Sequence, residues 1–253
     1  MQARTMPFEG AQFPVICAPL VARTKAALVE ETRIVAAKKP GLLEWRVDFF
    51  DDIANTAAVV DTLAAIREAC GGIPVLFTRR SSNEGGEPIA IDEPRVLVMY
   101  RAVCESKLAA LVDYEMSNAA ADVSQVRDMS AMHGVKLVLS FHDFMKTPGA
   151  PFIASRFALA QQLGADVAKV AVMPRNMGDV LVLLGATLQA NESLPIPVVS
   201  MAMGGFGALT RVCGWTFGSA MTFAVGQSSS APGQMPIEEI EAGVAMLRRA
   251  LGR

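Results

Sequence analysis

One lysine, Lys169, interrupts the apolar run ADVAKVAVM at 165–173, and one histidine, His142, stands in LSFHDF at 139–144. An ammonium held among small apolar neighbours is disfavoured by desolvation, and the like charge of Arg46 would disfavour it further. The neutral amine that adds to a carbonyl then becomes accessible near neutral pH. An iminium acidifies the neighbouring C–H, and an imidazole beside it is the natural base. Around this pair, charges recur at spacings of two. LLEWRVDFF at 42–50 carries Glu44, Arg46 and Asp48, VDYEMS at 112–117 carries Asp113 and Glu115, and Ser140 alternates with His142. In an extended strand such residues share a face. Burying one unpaired charge costs several kcal/mol, so charges from four strands must be paired with one another, and function is the usual reason to keep such a cluster.

These residues need a scaffold of strands whose ends converge. Short β-branched and apolar runs occur at 14–21, 42–50, 73–80, 110–117, 136–144, 167–173, 197–203 and 221–225. The segments between them carry helical periodicity, clearest at 25–37, 57–68, 153–163, 177–188 and 237–251. Eight strand–helix alternations predict an α/β chain folded as a (β/α)8 TIM barrel, a single domain over 1–253. No G-x-G-x-x-G follows the first strand, which argues against a doubly wound nucleotide-binding sheet. The Gly/Ser/Pro-rich stretch GQSSSAPGQMP at 226–236 follows the eighth strand and reads as a mobile loop and candidate active-site lid.

Composition removes other classes. A net charge of −2 with no basic run leaves no footprint for nucleic acid or an acidic membrane surface, so a small molecule is the expected partner. Mean hydropathy is positive, yet charged residues break every apolar stretch short of a membrane span. The opening MQARTMPFEG lacks the order of a secretory leader, and a cytoplasmic protein is expected. Cys17, Cys70, Cys104 and Cys213 show no C-x-x-C pairing and read as ordinary buried thiols. The second of the two histidines, His133, reads as a solvent-facing loop residue, and with no H-x-x-x-H the expected metal is none. Residues alone thus describe a lysine-imine enzyme with a histidine base and an arginine-rich site for a small anionic carbonyl compound. A class I aldolase fits the same description, as does a barrel that binds a metabolite without chemistry.

The strings EWRVD at 44–48, FTRRSSNEGGE at 77–87, SFHDF at 140–144, AKVAVMP at 168–174, SMAMGGFGALTR at 200–211 and SAPGQ at 230–234 lie at the ends of the expected strands. In that order they resemble the motifs of the type I 3-dehydroquinate dehydratases, over nearly the whole chain. The resemblance implies a hydro-lyase of the shikimate pathway, serving aromatic amino acid biosynthesis or quinate breakdown, with no cofactor, commonly a homodimer. It implies that Lys169 forms the Schiff base, that His142 is the general acid/base and that Glu84 orients it. It gives Glu44, Arg46, Arg80, Arg211, Ser230 and Gln234 to the hydroxyls and carboxylate of 3-dehydroquinate, and Met203 to its ring. Arg79 precedes Arg80, and alternation favours Arg80 as the arginine that enters the site.

Overall fold

A computed structural model of the chain describes residues 4–252; residues 1–3 and 253, within the expected domain and, for the first three, the opening stretch, lie outside the described residues. Eight parallel strands run in chain order: β1 Val15–Leu20, β2 Leu42–Arg46, β3 Val75–Thr78, β4 Leu111–Glu115, β5 Lys136–Asp143, β6 Val167–Val172, β7 Val198–Ala202 and β8 Met221–Val225. A two-residue strand, β9 Met235–Pro236, adds to β8. The expected barrel is the fold. β7 and β8 meet at a single bridge, Val198 to Ser219, with the Ala220 N–H donating to the Val198 carbonyl at 2.8 Å. The Ser219 hydroxyl extends that seam by accepting from the Ser200 N–H at 3.0 Å.

Among the described residues eight α-helices cover the outside: α1 Lys25–Ala37, α2 Thr56–Ala69, α3 Glu93–Ser106, α4 Ala120–His133, α5 Ala150–Gln162, α6 Met177–Ser193, α7 Ala208–Cys213 and α8 Ile237–Ala250. Thr24, Asn55, Asp92 and Asn176 accept from the first free N–H groups of α1, α2, α3 and α6, which fixes where each helix leaves its loop. Strand alternation splits the apolar residues into two cores. Leu43, Trp45, Phe77, Val112, Leu139 and Val170 face the helices, whereas Cys17, Leu42, Leu76, Leu111, Val138 and Val167 fill the barrel's lower interior, with Met6 packed among them. That apolar plug raises the polar residues of the same strands to the C-terminal mouth.

Several expected boundaries shift. β2 ends at Arg46, and Val47–Phe49 forms a turn of 3-10 helix, so Asp48 leaves the alternating row. β3 ends at Thr78, before both arginines. His133 is the last residue of α4 and half-buried, not a loop residue, because the following Gly134 takes the left-handed conformation that stops the helix. Cys213 is half-exposed, while the other three thiols are buried. The stretch 226–236 is not loop throughout, since its last two residues are β9. Among the described residues no helix is long and apolar enough to cross a membrane.

Candidate active site

A cavity opens at the mouth of the barrel. All ten residues that the resemblance assigns to the site line it: Glu44, Arg46, Arg80, Glu84, His142, Lys169, Met203, Arg211, Ser230 and Gln234. Gly85, Phe144, Ala171, Met201, Phe223 and Ala231 complete the wall. No period or spacing in the chain marks Met201, Phe144 or Phe223 for the site, because an apolar side chain at a barrel strand looks the same whether it faces a ligand or a core.

Lys169 projects inward from β6, its side chain 5% exposed. Its Nζ donates to Asp113 Oδ2 at 3.0 Å, lies 3.7 Å from Glu44 Oε1, and sits 4.6 Å from the centre of the Phe223 ring. The charges within 4 Å are therefore carboxylates, and the expected like-charge contact with Arg46 is replaced. Arg46 folds back on Asp48 in a bidentate pair, Nε to Oδ1 at 2.8 Å and Nη2 to Oδ2 at 2.7 Å, because the turn after β2 swings that carboxylate towards it. Its remaining Nη1 donates to the Ser230 carbonyl at 3.3 Å.

Of the adjacent arginines, Arg80 enters the barrel and Arg79 turns outward to Glu93 on α3. Arg80 is largely consumed by protein: Nη2 donates to Asp113 at 2.7 Å, and Nη1 to Ser140 at 2.8 Å and Glu115 at 3.1 Å.

His142, on β5 beside β6, brings Nδ1 to 2.8 Å from Glu84 Oε2, and the same oxygen accepts from its backbone N–H at 3.0 Å. Ser117 donates to the other oxygen of Glu84. Burial, with the cations Arg80 and Lys169, holds the imidazole well below the ordinary histidine range, so it is neutral and able to accept a proton. Burial and the Glu115 charge push Glu84 up to about 7. Arg211 differs from every other cation here. It is 1% exposed, donates only to the carbonyls of Phe223 at 3.2 Å and Pro232 at 3.1 Å, leaves Nε without a partner, and is lowered by burial to about 10. A buried guanidinium with no carboxylate beside it has the chemistry to pair with an anion.

The whole barrel, from residue 16 to residue 250, matches the family model for type I 3-dehydroquinase. The chain belongs to that family. A 3-dehydroquinate dehydratase of Albidiferax ferrireducens is 54% identical over 252 residues, covering 100% of this chain and 96% of that protein. The crystal structure of 3-dehydroquinate dehydratase from Geobacillus kaustophilus superposes with a TM-score of 0.93 at 45% identity, over 95% of this chain and 93% of that one. The type I enzyme of Clostridium difficile, solved with covalent modified comenic acid, gives a TM-score of 0.93 at 35% identity over 99% and 100%. Membership of this family of hydro-lyases does not favour the aldolase alternative left open by the residues.

Proposed function

We propose that this chain removes water from 3-dehydroquinate to give 3-dehydroshikimate, through an imine on Lys169 with His142 as general acid and base. The observation that carries the reading is the joint placement of an inward lysine, a neutral imidazole backed by a carboxylate, and an anion-seeking guanidinium around one cavity. Arg211 takes the substrate carboxylate, and Glu44, Arg46 and the loop residues Ser230 and Gln234 meet its hydroxyls. Met203 packs on the ring.

The Lys169 amine adds to the C3 carbonyl and the carbonyl oxygen leaves as water, forming the iminium. His142 Nε2 removes the proton at C2, and the electron pair of that bond moves towards the iminium nitrogen. The imidazolium then returns its proton to the C1 hydroxyl, which departs as water. Hydrolysis of the new iminium consumes one water and restores the amine, so the net change is loss of one water. The 226–236 loop acts as a lid that keeps bulk water from the imine before elimination. The enzyme works as a cytoplasmic homodimer in this reading.

Borohydride added with 3-dehydroquinate should inactivate the enzyme and place the reduced ligand's mass on the peptide holding Lys169. Lys169→Ala should lose trapping and turnover together. A label on another lysine, or turnover retained by that variant, refutes the assignment.

A further inference from the structure

Asp113 lies below the cavity, fully buried, and is not part of its wall; it meets the lysine and not the ligand. Its two oxygens have different partners. Oδ2 accepts only from Lys169 Nζ at 3.0 Å, whereas Oδ1 accepts from Arg80 Nη2 at 2.7 Å and the Ser140 hydroxyl at 2.6 Å. We propose that Asp113 is a catalytic residue, the counter-ion that keeps the Lys169 imine protonated, and that Arg80 is the positioning residue that holds its carboxylate in place.

This inference rests on the imine reading and assigns a group to it. Elimination requires that the nitrogen be positive when the C2–H bond breaks, since only an iminium draws that electron pair into an enamine. An iminium on Lys169 retains one N–H, and Oδ2 is the acceptor already facing it. The remaining charges around Nζ come from every neighbouring strand. Glu44 on β2, at 3.7 Å, shares its nearer oxygen with the Thr78 hydroxyl and also borders the cavity, where ligand competes for it. Arg80 and His142 lie on the β3 and β5 sides, and the Cys17 thiol on β1 is pushed well up by burial and by Glu44. Burial opposes charge on Asp113, but Arg80 and Lys169 hold it well below the usual carboxylate range, so the counter-ion persists across the working pH. The consequence for Arg80 is a change of role. A guanidinium with both terminal nitrogens committed to Asp113, Ser140 and Glu115 serves the lysine through Asp113 more directly than it serves a substrate hydroxyl.

Cyanoborohydride reduces iminium and not neutral imine, so its rate of adduct formation with 3-dehydroshikimate, followed by intact mass against pH, reads the protonated fraction. In the wild-type enzyme the alkaline half-point should lie well above that of the imine formed by N-acetyl-lysine in solution. In Asp113→Asn it should fall by roughly 1–3 pH units, the usual influence of one opposite charge at this distance, and Asp113→Glu should restore much of it. No adduct on wild-type Lys169 overturns the imine reading. A wild-type adduct with an unchanged half-point in Asp113→Asn overturns the role of Asp113 alone. If that variant does not fold, a wild-type half-point no higher than that of the solution imine does the same.

Discussion

The Glu84–His142 pair turns on the hydrogen bond at Nδ1, whose direction depends on pH. With Glu84 ionised, Nδ1–H donates to Oε2 at 2.8 Å and the lone pair of Nε2 is free to act as base. Burial raises Glu84 to about 7, so acidification to that point protonates the carboxyl. It then donates to Nδ1 and leaves the ring proton on Nε2, with no base available. The expected outcome is a kcat/KM that falls as pH drops through about 7, and a Glu84→Gln profile without that limb. An identical limb in the variant would assign it to another group. His142→Ala should lose about 10²–10⁴ in turnover, the common contribution of general acid–base catalysis, while still trapping ligand with borohydride.

Among the elements, the connection after β8 is the proposed lid. It carries little apolar surface to offset the entropy of ordering, and it is held over the cavity by backbone contacts: the Ser230 carbonyl to Arg46, and the Pro232 carbonyl to Arg211 and to the Gly204 N–H at 3.2 Å. Gln234 Nε2 donates to the Ser230 hydroxyl at 3.2 Å, and its Oε1 accepts from the Ser230 N–H at 2.9 Å. Saturating product should therefore suppress proteolytic cutting within 226–236, and equal cutting with and without product would exclude a lid. Gln234→Ala should lower kcat/KM by about 1–3 kcal/mol with little change in stability.

This element also marks the limit of what the chain discloses by itself. Period-two alternation places Glu44, Arg46, Asp113, Glu115, Ser140 and His142 on the barrel mouth, and Lys169 stands out as a lone cation in an apolar run, because a charge on a strand covered on both sides has nowhere else to go. Alternation failed at Asp48, where β2 had already become a turn, and it could not tell which charges would meet. The Lys169–Asp113 contact joins β6 to β4 across 56 residues, a distance in sequence that no local pattern spans. Of the helices, α3, α4 and α7 were the least legible; α7 has only six residues, too few for a helical period to show.

At the scale of the whole molecule, the barrel carries a cation uncompensated by carboxylate at Arg211. Its other buried cations at the mouth, Arg46, Arg80 and Lys169, each have a carboxylate within 3.0 Å, so the desolvation of each is offset by its partner. Arg211 is compensated only by two carbonyls. Burial lowers it to about 10, below the ordinary arginine range, so the unfolded chain holds that proton more tightly than the folded one at alkaline pH. By linkage, folded stability rises as pH climbs above about 10 towards the ordinary arginine range, and the full cost of the buried cation is felt below that window. Arg211→Met should therefore raise the melting temperature at neutral pH while lowering kcat/KM by about 1.5–3 kcal/mol, the value of a charge-assisted hydrogen bond. A variant both less stable and less active would show that Arg211 braces the barrel.

Two glycines face each other where the loops after β7 and β8 cross. Gly233, at φ +75°, leaves no room for a methyl group, since a Cβ there would come within 2.3 Å of the Gly204 carbonyl oxygen. Gly204 is itself at φ +67°. Neither position can drift by mutation without moving main chain, and main chain here carries the contacts that Arg211 and the neighbouring loop share. Two distant stretches of the gene are thus bound to a common fate, and a harmless-looking alanine in either would be felt as a defect in ligand capture, leaving the chemistry of the lysine intact.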